Sequence, residues 1–150
     1  MPQSPLYETD FYAWAQEQAA LLRAGKLSAA DIENIAEEIE SMGRSEKREL
    51  VGRSAILLAH LLKWRFQPGL RGNSWRLGIR EQRLRITRHL EDNPSLKAML
   101  NAAMAEGYEL AVIVAQRETG FGDDVFPTTC PWTFEDIMAP DFWPADAPRL

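Results

Sequence analysis

Residues 31–66 read DIENIAEEIESMGRSEKRELVGRSAILLAHLLKWRF, and the fold turns on whether Gly43 breaks this stretch. Ile32, Ile35, Ile39 and Met42 recur at helical spacing before the glycine. At about 100° per residue, Leu50, Leu57, Leu61 and Trp64 beyond it fall on the face that carries Ile32 and Ile39. A loop would reset that phase. The reading is one long helix from about Asp31 to Phe66, bent at most near Gly43. The alternative is a kinked pair, because an interior glycine costs roughly 1 kcal/mol relative to alanine and the stripe is weakest over residues 45–49.

Helix signals continue on both sides. Phe11, Trp14, Ala15, Gln18, Leu21 and Leu22 form an earlier helix, with Asp10 as its N-cap and Gly25 just past its end. Ser28, three residues before Asp31, resembles a capping box that opens the long helix. QPGLRGN at residues 67–73 is a loop, and Asn73 or Ser74 can cap the next helix. That helix points Trp75, Ile79, Gln82, Ile86 and Leu90 inward, so Gln82 needs partners or an interface. Asn93-Pro94 opens a further helix with Leu96, Leu100, Ala103, Gly107, Leu110, Ala111 and Val114 on one side, ended by Gly120. Small Ala103 and Gly107 let a neighbouring helix come close. Beyond residue 121 the chain is punctuated by Pro127, Pro131, Pro140, Pro144 and Pro148, with Phe126, Trp132, Phe134, Phe142 and Trp143 between them. So many aromatics are costly to leave in water, so this segment is expected to dock on the bundle, with Thr133 capping a short helix through Met138.

Charge is sorted along the chain. Residues 44–90 hold 12 Lys and Arg against 3 Asp and Glu, whereas residues 1–43 carry a net −6 and residues 91–150 a net −8. A basic centre between acidic flanks either neutralises itself inside the fold or offers a surface to an anionic partner. The single cysteine, Cys130, rules out an internal disulfide and fits a reducing compartment. MPQSPLYETD lacks the basic and apolar regions of a secretory signal. The longest strongly apolar run, residues 55–62, falls far short of the roughly twenty residues of a membrane span. The expectation is a cytoplasmic protein with no membrane partner.

Seven strings occur in a characteristic order: YETDFYAWAQEQAALLRAG from Tyr7, EEIESMGRSEKREL from Glu37, HLLKWRFQP from His60, NSWRLGIREQR from Asn73, NPSLKAML from Asn93, ETGFG from Glu118 and CPWTFEDIM from Cys130. With them the chain resembles, over roughly residues 7–144, the bacterial family catalogued as domain of unknown function 29. The resemblance implies an all-α fold in a bacterial cytoplasmic protein. It brings no catalytic or binding residues with it.

Three groups of residues are candidates for chemistry. His60 could work with Glu38 or Glu118 as a metal ligand or base, against the plainer reading of a core-edge histidine bonded to an oxygen. Two histidines are few for a metal site; neither follows a glutamate at the di-iron spacing, and no HExxH occurs, so no metal or other cofactor is expected. Glu37, Glu38 and Glu40 read as a solvated face with one ion pair rather than a magnesium site. Arg76, Arg80 and Arg83 share a helix face, with Trp75, Lys63 and Trp64 near in sequence, and could grip phosphates and stack on bases. Pairing with the acidic flanks is the favoured account of them, and a sequence pI near 5.1 argues against general nucleic-acid affinity. No catalytic residue is assigned: Cys130 has no base partner by signature, and neither GxSxG nor GxxxxGK[ST] is present.

The sequence therefore predicts one all-α domain over residues 1–150. Its helical core spans about 8–120 as a bundle of about four main helices with a long second helix, and a Pro- and aromatic-rich C-terminal segment, about 121–150, docks on it. The long helix would overhang its shorter neighbours, and a second copy is the simplest cover, so a homodimer is expected. The leading functional reading is a non-enzymatic helical interaction module that binds itself and one macromolecular partner, such as an unidentified protein partner. The alternatives are nucleic-acid or nucleotide binding through Arg76, Arg80 and Arg83, and an enzyme or metal site around His60.

Overall fold

The computed structural model describes residues 5–147 and is all-α, with four helices of seven residues or more and no strand among the described residues. Helix α1 covers Leu6–Thr9, α2 Phe11–Arg23, α3 Ile32–Phe66, α4 Asn73–Asp92, α5 Leu100–Thr119 and α6 Phe134–Met138. Single 3-10 turns occupy Leu27–Ala29 and Pro68–Leu70, and a two-turn 3-10 segment occupies Pro94–Met99. The decisive stretch is one helix of 35 residues. Gly43 keeps a negative φ within it.

Several ends form as the sequence predicts. Asp10 accepts from Ala13 N at the start of α2. Gly120, at φ 76°, closes α5 in the left-handed region that glycine adopts without strain. Thr133 and Asp136 exchange both bonds of a capping box on α6. Other ends differ. Ser28 lies in a 3-10 turn, and Asp31 itself precedes α3, its carbonyl accepting from Ile35 N and its carboxylate from Asn34. Extended Gly72, rather than Asn73 or Ser74, stands before α4. Pro94 opens a 3-10 segment, and α5 begins only at Leu100.

Contacts divide the chain within α3 into two compact units, one up to Ser45 and one from Glu46. In the first, Trp14 and Ala30 are the buried apolar side chains among the described residues. Trp14 Nε1 donates to Asp31 Oδ2 at 3.0 Å, and Asp31 N donates to Gln18 Oε1 at 2.7 Å. Tyr7, Phe11 and Trp14 form a triangle of mutually tilted rings, and Tyr7 OH donates to Glu38 Oε1, a bond that pushes the phenol pKa up to about 12.

The second unit holds the main core. Leu50, Leu57, Leu58, Leu61 and Leu62 of α3 meet Ile79 and Ile86 of α4, Ala111 and Ala115 of α5, and Ile137 of α6, all fully or almost fully buried. The second half of the stripe predicted from phase, Leu50, Leu57 and Leu61, lies in this core with Trp64 half-buried at its end, whereas Ile32 and Ile39 of the first half are exposed. The C-terminal segment docks on the same unit. Phe126 meets Phe66 edge-on at 5.0 Å, Trp143 lies 4.5 Å from Trp64, and Tyr108 OH donates to Pro127 O at 2.6 Å. By length and composition the stretch 94–119 could cross a bilayer. Its buried Ala103, Met104, Tyr108, Ala111 and Ala115, set against outward Glu106 and Glu109, are the pattern of an alanine-rich core helix.

Candidate functional site

The six residues of the predicted cationic face divide sharply. Arg83 is buried on α4 and points its guanidinium at the C-terminal segment. Nε donates to Ile137 O at 2.7 Å, Nη2 to Phe142 O at 2.8 Å and Nη1 to Pro140 O at 3.5 Å, and the group lies over the Trp143 ring. Burial lowers its pKa, with Asp141 nearby opposing that shift. Lys63, on the last turns of α3, pairs with Glu118 Oε2 and sits 5.3 Å over the Trp75 ring. Trp64 is clamped between Trp143 and Arg71, whose Nε donates to Trp64 O and whose Nη2 pairs with Asp146. Lys63, Trp64, Trp75 and Arg83 thus serve the fold's own closure. The central positive charge is partly answered within the fold: Arg71, Lys63 and Arg85 each hold a carboxylate.

Arg76 and Arg80 remain exposed. Arg76 is oriented by Asn73 Oδ1 at 2.6 Å, and Arg80 has no ion pair or hydrogen bond among the described residues. Together with Arg83 they border a cavity of about 510 Å3 whose apolar wall is Leu84, Met138, Pro140 and Trp143. Helix α4 supplies the cationic side, while α6 and the chain after it supply most of the apolar side.

His60, Glu38 and Glu118 do not converge. Glu38 is bonded to Tyr7 in the first unit, and Glu118 to Lys63 in the second. His60 Nδ1 faces Ile56 O at 2.8 Å, and its Nε2 lies 3.0 Å from where a Cβ on Gly78 would stand. Burial is the largest cause lowering its pKa, with the Ile56 carbonyl and Glu118 opposing and Lys63 adding to it. This is the core-edge histidine of the plainer reading. Cys130 donates to Trp132 O, and burial raises its pKa, away from the thiolate a nucleophile needs.

The structure gathers one cluster that the sequence reading did not. His89 is buried on α4; its Nε2 faces Glu46 O at 2.8 Å and its Nδ1 faces Glu49 Oε2 at 2.6 Å. The three side chains have the composition of a metal site. A metal bridging Nδ1 and Glu49 with bonds of about 2.1 Å would need them roughly 3 Å apart or more, and Arg53 also leans on Glu49 at 3.7 Å. The geometry is that of a hydrogen bond joining α3 to α4. The available signal was spacing: His89 follows Gln82 and Ile86 at i+7 and i+3 on the buried face of α4.

The fold defines an all-helical bundle protein with one long helix. The chain belongs to the family described as Domain of unknown function DUF29, whose model matches residues 6–143. No curated protein and no solved structure matches it.

Proposed function

We propose that the protein is a non-enzymatic interaction module that self-associates through the first half of α3 and, so assembled, binds a macromolecular partner. One observation carries this. Among the described residues the first unit buries two apolar side chains, yet Phe11, Tyr12, Leu22, Leu27, Ile32, Ile39 and Met42 are exposed, Ile39 by 59% and Met42 by 62%. A unit of this size with so small a core is expected to gain stability from a partner.

The spacing argues for a second copy. Ile32, Ile35, Ile39 and Met42 alternate by three and four, the a and d positions of a helix-pairing seam. Ala36 beside the seam is small enough for close approach. A two-fold antiparallel pairing brings the Arg44 end of one seam against the Glu33 end of the other. The paired faces, rimmed by Glu33, Glu37 and Glu40, then present an acidic surface to a further partner.

The test is sedimentation of the wild-type chain beside the double variant Ile39→Glu, Met42→Glu. A wild-type dimer and a folded, monomeric variant are expected. A wild-type chain that stays monomeric at every attainable concentration, or a variant that dimerises as well, sinks the reading.

A further inference from the structure

We propose that the cavity between α4 and the C-terminal segment binds a small amphiphilic anion: a carboxylate or phosphate head on a hydrocarbon or aromatic body. The cavity, about 510 Å3, is within the size range of small-molecule sites. Its chemistry is divided. Leu84, Met138, Pro140 and Trp143 offer an apolar bed, and no acidic residue lines it.

Three guanidinium groups border this bed, and they are not equivalent. Arg83 is committed to backbone carbonyls, so it bonds no carboxylate and leaves its positive charge at the wall. Arg76 is held in place by Asn73, and Arg80 is without a partner among the described residues. A free arginine beside two fixed ones is suited to a planar, bidentate anion. The apolar wall sets this site apart from a phosphate-backbone surface, which needs charge and no hydrocarbon bed. Every residue named belongs to the second unit, so the proposal and self-association through the first unit stand or fall separately.

The probe is decanoate, titrated calorimetrically into the full chain, with decanol as the neutral control. One saturable decanoate site is expected, with binding weakened about tenfold or more in Arg80→Glu and for decanol, the loss of one charge-assisted pair. Leu84→Asp, at a half-exposed position, should weaken binding likewise, and circular dichroism of both variants checks that they fold. No decanoate binding, equal binding of decanol, or binding unchanged in both variants overturns the proposal. So does sedimentation with phosphatidylglycerol vesicles by a chain that ignores free decanoate, since that assigns the arginines to a lipid surface.

Discussion

Gly107 of α5 faces Ser54 of α3 so closely that a Cβ on the glycine would stand 3.1 Å from Ser54 Cβ, 3.2 Å from Ala55 N and 3.2 Å from Val51 O. Two of these neighbours are backbone atoms of a helix whose flanking Leu50, Leu57 and Leu58 are fully buried, so they cannot yield. Gly107→Ala gains helix propensity of about 1 kcal/mol, but overpacking costs about 1–3 kcal/mol. Net destabilisation is expected, read as a lower urea midpoint. Gly43 and Gly52 of α3 have nothing within 4 Å of a Cβ, so Gly43→Ala and Gly52→Ala should each raise the midpoint. Three equal responses would contradict this packing.

Arg83 fastens the C-terminal segment. Replacing it by methionine keeps an unbranched apolar stem but removes the donors to Ile137 O and Phe142 O, at a cost of about 2–3 kcal/mol for charge-assisted bonds. Lysine should not rescue the loss, because a point charge cannot serve carbonyls in three directions. In Arg83→Met, proteolysis beyond residue 134 is expected to speed up before the helical signal is lost. Unchanged proteolysis would show that aromatic packing of Trp143 on Trp64 suffices.

Much of the fold was legible because its signals are periodic. The phase of Leu50, Leu57 and Leu61 with Ile32 and Ile39 predicted α3 through Gly43, and the helix is unbroken. The same phase could not say which half of that stripe finds cover within the chain: Leu50, Leu57 and Leu61 are buried, whereas Ile39 and Met42 are exposed. Local capping was harder to read, since a serine–aspartate spacing fits Ser28 equally well whether the helix starts there or at Ile32. The cationic group was seen, but i, i+4, i+7 spacing hid that Arg83 turns inward while Arg76 and Arg80 do not; that depends on where residues 137–142 dock. His89 with Glu46 and Glu49 needed the α3–α4 pairing, which no local pattern supplies.

The proposed self-association carries an electrostatic signature. The first unit, Arg44 included, carries a net −5, so two copies pairing through it repel each other on balance. Salt screens that repulsion over a Debye length of about 10 Å at 0.1 M. Raising salt from about 0.05 to 0.5 M is therefore expected to tighten the dimer, whereas docking of a basic partner helix would weaken over the same range. Sedimentation across a salt series separates the two.

His60 gives the chain a defined acid response. Burial holds its pKa below the ordinary 6.5, so between those two values the unfolded chain binds the proton that the folded chain refuses. The stability this neutral imidazole contributes is complete above about pH 6.5 and falls as pH drops through that window toward the folded value. Lys63 widens the window and Glu118 narrows it. His60→Asn places a neutral donor at the Nδ1 position for Ile56 O but does not titrate. The difference between wild-type and variant urea midpoints should be flat above about pH 7 and move against the wild type below it. Parallel curves down to about pH 5 would mean that His60 takes up its proton in the folded protein as easily as in the unfolded one.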